Sequence, residues 1–436
     1  MELETENIFL RRESNVRSYC RSFPVVFKKA SGAHVWDEEG TRYIDFFAGA
    51  GALNYGHNNE EIRDALIDYL MRGEITHSLD LYTCAKRDFL NSFERVILKP
   101  KNLPHKVMFS GPTGTNSVEA AMKIARLATG RERIAAFTNG FHGMSMGSLS
   151  ATGNKYNRQG AGGGLIQVDR YQFDGYHGNN IDTIDLIQKL IEDPSSGYEA
   201  PAAFLLETVQ AEGGLNVARP EWLRKLSQLA KKHGSVIIVD DVQVGCGRTG
   251  SFFSFEEAGI TPDIICLSKS ISGFGLPMAL VLVLPEYDVF LPGQHNGTFR
   301  GNNLAFVAAR HALEFWGQSN FVEGVQRNIE IVTESLQHIQ ELLGKDFSIR
   351  GRGMIQGIVC PSGEIASAIA KACFARGLII ETCGAHDQVV KLLPPLNIAP
   401  EILSEGLSIL AECALSVLVT ASDDTSSLDL QEAEMV

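Results

Sequence analysis

Asp240 ends the aliphatic run Val236-Ile237-Ile238-Val239, and Lys269 follows Ile264-Ile265-Cys266-Leu267-Ser268. Runs this short, rich in β-branched residues, read as strands of a parallel sheet buried on both faces. In such open α/β sheets ligands gather at the carboxyl edge of the strands. An acid and an amine are therefore expected at one edge. A lone lysine after a strand is usually a solvated surface group. Here the small neighbours Ser268, Ser270, Ser272, Gly273 and Gly275 leave room for a flat ligand. Taken together, the pair suits pyridoxal phosphate, which needs a lysine to form an imine and a carboxylate to keep its pyridine nitrogen protonated.

A phosphate needs a cradle. Gly111-Pro112-Thr113-Gly114-Thr115-Asn116-Ser117 leads straight into a helical pattern over Val118 to Ala128, closed by Gly130. Free N–H groups at a helix start, aligned with its dipole, bind anions; an ordinary N-cap has the same composition. Phe141-His142-Gly143 follows the strand-like Ile134-Ala135-Ala136-Phe137, where an aromatic ring can stack on a pyridine or simply pack into the core. Glu207 and Glu212 follow the strand Ala203 to Leu206 and are candidates for the same edge or for solvated loop charges. His295-Asn296-Gly297-Thr298-Phe299-Arg300-Gly301-Asn302 is a second polar, glycine-bearing loop before a helix.

One pattern misleads. Gly245-Cys246-Gly247-Arg248-Thr249-Gly250 matches G-x-G-x-x-G, but a dinucleotide fingerprint puts its first glycine at the strand end and opens a helix within the motif. Here Asp240 to Val244 intervene and aromatic Ser251 to Phe255 follows. A nicotinamide-dependent oxidoreductase is thus disfavoured. No H-E-x-x-H is present and the histidines lack ligand spacing, so no metal is expected.

The elements that position these residues alternate. Between the strands Phe204-Leu205-Leu206 and Val236 to Val239 lies the amphipathic stretch Glu221 to His233, and such alternation predicts an α/β sheet layered by helices. Residues 1–59 carry strand-like His34-Val35-Trp36 and Arg42 to Phe47 and are expected to join a smaller α+β domain. Residues 60–312 form the large ligand-binding domain. Residues 313–420 supply the rest of the small domain, with helical periodicity over Asn328 to Leu343 and Ser404 to Thr420 and strands at Met354 to Val359 and Leu378 to Ile380. Residues 421–436 read as an acidic disordered tail. The 39 Lys and Arg against 52 Asp and Glu give a formal charge of −13, which argues against nucleic acid or anionic membrane as partner. No apolar run is expected to span a membrane, and the acidic Met1 to Glu6 is unlike a secretory or transit leader. Eight scattered cysteines without a C-x-x-C pair suit a reducing compartment, hence the cytoplasm.

In order, the chain shows Gly114-Thr115-Asn116, Phe141-His142-Gly143, Glu207 with Gln210 and Glu212, Asp240-Asp241-Val242-Gln243 with Gly247-Arg248-Thr249-Gly250, Ser268-Lys269, Thr298-Phe299 and Leu393-Pro394-Pro395-Leu396. From about Glu13 to Leu418 it resembles the class III (ornithine/GABA-type) pyridoxal-phosphate aminotransferases of fold type I. That resemblance implies a large domain with a mainly parallel seven-stranded sheet plus a smaller α+β domain. It implies Lys269 as the imine-forming lysine and proton shuttle, Asp240 at the pyridine nitrogen, Gln243 near the ring hydroxyl and Phe141 on the ring face. Gly114 and Thr115 would bind phosphate, with His142 and Glu207 also around the cofactor. Thr298 would reach the phosphate of a neighbouring subunit, so a homodimer or larger homo-oligomer is implied.

Within the class, Val16 to Pro24, Phe46 to Asn58 and Pro292 to Asn302 are most similar to the diaminobutyrate-forming branch. Tyr19, Asn54, Glu212 and Lys391 are then the implied substrate residues. Many class III members carry an arginine where this chain has Met144, and ornithine-type members carry one in place of Lys391. Methionine cannot bind a carboxylate and lysine offers only a point charge. Asp241 stands where the family usually has glutamate. The implied reaction passes the amino group of L-glutamate to L-aspartate 4-semialdehyde; ornithine, GABA, a β-amino acid or an aminomutase reaction remain the alternatives.

Overall fold

The structure, a computed structural model, describes residues 7–178 and 180–433; the acidic Met1 to Glu6 segment lies outside the described residues. Strands β1 (Phe27–Ser31), β2 (His34–Asp37) and β3 (Arg42–Asp45) open the fold. The large sheet comprises β4 (Lys106–Gly111), β5 (Ile134–Phe137), β6 (Val168–Tyr171) and β7 (Ala203–Leu206). A short hairpin, β8 (Val209–Gln210) and β9 (Asn216–Val217), precedes its last three strands, β10 (Val236–Asp240), β11 (Ile264–Leu267) and β12 (Ala279–Val283). The sheet has seven strands in the order β4-β12-β11-β10-β7-β5-β6. All its pairings are parallel except those of β12, which runs antiparallel to both β11 and β4. A parallel return needs a crossover, and the link from β11 to β12 holds only a tight turn at Lys269–Ser272.

Both faces of this sheet are covered. Phe204, Leu206, Ile237, Val239, Ile265 and Leu267 pack on one side with Trp222 and Phe306, while Leu205, Ile238, Ile264 and Cys266 pack on the other with Val118, Ala121 and Met122. The continuous apolar runs in the sequence have this cause: neither face meets water. Each fully buried Leu, Ile or Val contributes roughly 1.5–3 kcal/mol.

The helices that matter to the site are α1 (Gly114–Thr129), α2 (Pro220–His233) and α3 (Asn303–Glu314) in the large domain, then α4 (Ser319–Leu343), α5 (Gly363–Ala375) and α6 (Pro400–Ala433). Helix α1 ends at Gly130, whose left-handed φ of 69° closes it. The C-terminal strands are β13 (Ser348–Arg352), β14 (Ile355–Val359), β15 (Leu378–Ile379), β16 (Glu381–Cys383) and β17 (Val389–Leu392). They form the antiparallel sheet β13-β14-β17-β16, while β15 joins β3 in parallel. Ile44 and Phe46 of the N-terminal segment share one core with Leu336, Leu403 and Leu407.

Two sequence expectations bear on α6. The helix continues to Ala433, into the tail expected to be disordered, whose residues 434–436 lie outside the described residues; residues 421–433 hold no glycine or proline to stop it. Its segment Pro400–Val419 is also long and apolar enough to cross a membrane, contrary to the expectation that no segment is. Its high average hydropathy has a local use, because Leu403, Leu407, Leu410, Cys413 and Ala414 are buried in the small-domain core.

Candidate active site

Strands β10 and β11 bring the acid and the amine together. Asp240 pairs in register with Cys266 on the parallel neighbour, and Lys269 lies three residues beyond it. Lys269 takes a left-handed backbone, φ 52°, at the start of its turn. A non-glycine residue held there is strained, and such strain concentrates at functional sites. Burial pushes its ammonium below the usual lysine range, Glu212 opposing and Lys391 reinforcing the shift.

Asp240 is held from two sides. His142 Nδ1 donates to Oδ2 at 2.8 Å, and the Val242 N–H donates to Oδ1 at 3.2 Å. The His142 backbone N–H donates in turn to Thr152 Oγ1 at 3.0 Å. Beside this pair, Glu207 Oε2 accepts from the Phe141 N–H at 2.9 Å and Oε1 accepts from the Ala211 N–H at 3.2 Å. Glu207 therefore fixes the loop that carries the half-buried Phe141 ring. Burial and the nearby charge of Asp240 raise its carboxyl well above the carboxylate range.

The anion cradle is built as a tight fit. Gly114 and Thr115 open α1, so their N–H groups lack intrahelical acceptors. A Cβ on Gly114 would lie 2.7 Å from Val242 Cγ1, so only glycine lets the helix start approach the end of β10. Thr115 Oγ1 lies 2.6 Å from Ser145 Oγ. Glu119, absent from the sequence reading, ties the next loop to α1: its Oε1 accepts from Ser145 Oγ at 2.6 Å and from the Gly147 N–H at 2.8 Å.

A third cluster joins the two domains at this edge. Lys391 Nζ lies 2.8 Å from Glu212 Oε1 and 3.0 Å from Glu381 Oε1, and its side chain is wholly buried. A surface lysine is thereby ruled out at this position. Burial alone would depress the Lys391 ammonium, yet Glu212 and Glu381 raise it well above its usual range. Burial opposes ionisation of Glu212, but Lys391 and Lys269 hold its carboxyl down at about 2. Glu381 goes the other way, raised to about 7 by burial against the pull of Lys391. Tyr19 packs 5.0 Å from the Phe47 ring with about half its surface exposed, while its hydroxyl is pushed up to about 12 by local desolvation and by these two carboxylates. Beyond Tyr19 and Phe47 a cavity of about 560 Å³ opens, bounded by Asp45, His57 and Ile379, and it contains neither Lys269 nor Asp240.

Two further expected site residues are Asn54 and Thr298. Asn54 is fully buried; its Nδ2 donates to the Cys246 carbonyl at 2.8 Å and its Oδ1 accepts from Arg248. Both amide atoms are engaged by the scaffold. Thr298 is exposed on the loop before α3, with no hydrogen bond to Asp240 or Lys269 within the chain. The misleading glycine run is a junction: buried Arg248 also donates to the Met354 and Pro394 carbonyls, and a Cβ on Gly247 would strike the Trp316 ring at 2.1 Å. Asp241 faces the same junction, Oδ2 accepting from the Ser254 N–H at 3.0 Å. Among the described residues no His, Cys, Asp and Glu cluster is arranged to hold a metal.

The model of the family "Aminotransferase class-III" matches residues 16–414. The chain belongs to that family. As a class III aminotransferase it is 53% identical over 418 residues to the diaminobutyrate--2-oxoglutarate transaminase of Halalkalibacterium halodurans, covering 95% of this chain and 97% of that one. It is likewise 53% identical to the enzyme of the same name from Streptomyces avermitilis, covering 93% and 96%. A transaminase crystal structure from a marine Virgibacillus shares its fold at a TM-score of 0.85, with 20% identity, over 97% of this chain and all of the other. The enzyme is a transaminase whose cofactor is pyridoxal 5'-phosphate. The site fits that group: the Gly114 cradle admits no side chain, and His142 Nε2 and Gln243 Oε1 are buried polar atoms without a protein partner.

Proposed function

We propose that this class III aminotransferase moves the amino group of L-glutamate to the aldehyde carbon of L-aspartate 4-semialdehyde, yielding 2-oxoglutarate and L-2,4-diaminobutyrate. The reading is supported by 53% identity, over nearly the whole length of each, to two enzymes named diaminobutyrate--2-oxoglutarate transaminase. When bound, pyridoxal phosphate supplies an aldehyde that condenses with amines and a ring that delocalises the electron pair left on the reacting carbon.

The chain's residues divide the remaining work. Asp240, fixed by His142 and Val242, presents a buried negative charge to the pyridine nitrogen. Lys269, its proton affinity lowered by burial, holds the cofactor and moves a proton at its Nζ. Gly114 and Thr115 turn their N–H groups on phosphate. Phe141, whose loop Glu207 fixes, covers the ring, and Gln243, tethered to the Ala50 carbonyl at 2.9 Å, approaches the ring hydroxyl. Lys391 receives the α-carboxylate of glutamate when Glu212 turns aside; the terminal carbon of diaminobutyrate bears no carboxylate, so Glu212 stays in place. Tyr19 lines the approach. A cytoplasmic homodimer, with Thr298 serving the neighbouring subunit, completes the reading.

The test is a visible spectrum of the purified enzyme followed by separate additions of amines. L-Glutamate and L-2,4-diaminobutyrate should each bleach the cofactor band, and ornithine and GABA should react at least about tenfold more slowly. Faster bleaching by ornithine or GABA would reassign the substrate.

A further inference from the structure

Lys391 carries two carboxylates where a gate needs one, and the two are not alike. Glu381 and Lys391 are directly opposite each other on the antiparallel strands β16 and β17. Cross-strand neighbours of opposite charge sit within reach by construction. The Glu381 side chain is only 8% exposed, so it has little water to turn towards. Glu212 comes from the other domain, on the turn after β8, and its side chain is 29% exposed. Its backbone is pinned, because its carbonyl accepts from the Gly384 N–H at 3.0 Å. The movable part of Glu212 is therefore its side chain alone.

This asymmetry decides which acid yields to a substrate carboxylate. Displacing Glu212 moves an already part-solvated group. Displacing Glu381 would strand a charge inside a sheet, which is far more costly. Above about pH 7, where Glu381 is ionised, a substrate carboxylate arriving at Lys391 thus meets an ammonium whose charge Glu381 already offsets. The incoming anion is attracted by Lys391 and repelled by Glu381 at comparable range, and in a site of low polarity both terms are large.

We propose that Glu381 is a specificity-determining residue: it remains on Lys391 when Glu212 gives way, and its charge keeps the substrate carboxylate loosely held. One pocket can then release 2-oxoglutarate and admit a substrate whose reacting carbon has no carboxylate. This rests on the reading above, in which Lys391 receives the carboxylate of glutamate.

The experiment is calorimetric titration of 2-oxoglutarate at about pH 8.5, above the value near 7 to which burial raises Glu381, into the pyridoxal-phosphate form of the enzyme, with which that keto acid cannot transaminate. Glu381→Gln keeps the shape and removes the charge, so the Kd for 2-oxoglutarate should fall at least about fivefold, while the KM for diaminobutyrate stays or rises. An unchanged or higher Kd overturns the proposal, since a merely structural role would loosen binding. Glu381→Asp keeps the charge, and its Kd should stay within about twofold of the wild-type value; a fivefold tightening there also overturns it, and this arm stands if the Gln variant does not fold. Wild-type enzyme that turns over glutamate and diaminobutyrate while Glu381→Gln fails to tighten sinks this inference alone. Wild-type enzyme that accepts neither amine sinks the functional reading instead.

Discussion

The Asp240 carboxylate receives the His142 imidazole at 2.8 Å, Oδ2 to Nδ1, with both side chains almost completely buried. That bond sets the orientation of the acid and leaves His142 Nε2 without a protein partner.

His142→Ala should leave Asp240 with the Val242 N–H as its remaining donor. A buried hydrogen bond to a charged group contributes about 1.5–3 kcal/mol, so kcat should fall roughly 10–100-fold with the cofactor still bound. Asp240→Ala removes the charge itself and should cost at least about 10³ in kcat. Single-turnover rates with diaminobutyrate measure both.

Lys269→Ala should abolish turnover and the visible imine band together, because the nearby amine of Lys391 is engaged by Glu212 and Glu381. Normal turnover in this variant would refute the assignment of that lysine.

Lys391→Met removes the ammonium proposed to receive the glutamate carboxylate. The kcat/KM for glutamate should drop about 100-fold, and that for diaminobutyrate markedly less. A uniform loss for both amines would show a scaffold role instead.

Gly114→Ala would put a methyl 2.7 Å from Val242 Cγ1. Overpacking of this kind costs about 1–3 kcal/mol, and here it falls on the phosphate cradle. Equilibrium dialysis should show pyridoxal phosphate bound at least about tenfold more weakly.

Asp241 titrates in the opposite sense from a stabilising carboxylate. Burial raises its carboxyl to about 7, above the ordinary 3.8 and against the pull of the Ser254 bonds. Between about pH 4 and 7 the native state keeps a proton that the unfolded chain has lost. Its contribution therefore favours the fold below about pH 4 and is lost as the pH rises to 7, in total on the order of 2–4 kcal/mol. Urea unfolding across that range should show Asp241→Asn losing correspondingly less stability than wild type.

The parts of this molecule that could be read in the sequence are those governed by short-range rules. The aliphatic runs that became β10 and β11 are apolar because both sheet faces are covered, and their last residues had to emerge at one edge. Helix α1 announced itself by its period and by Gly130. Glu381 was missed because β16 is three residues long and too short to show alternation. A signal was nonetheless there: Glu381-Thr382-Cys383 and Val389-Val390-Lys391 flank a Gly384 to Gln388 turn, which sets opposite charges across a hairpin. The bond between Asn54 and Arg248 was not legible, since the two lie 194 positions apart in sequence. Nothing local predicts a cation buried inside a glycine run. The antiparallel β12 escaped for a similar reason, its direction depending on what the link Ser268 to Met278 lacks.

Arg248 has a consequence for how the enzyme comes apart. Its guanidinium, wholly enclosed and lowered to about 9 by burial, is donated to Asn54, Met354 and Pro394, which belong to the N-terminal segment and the small domain. Prising the lobes apart would leave that cation bare in a dry seam. The two lobes are consequently welded, and heating should melt them in one cooperative step, with no half-open survivor.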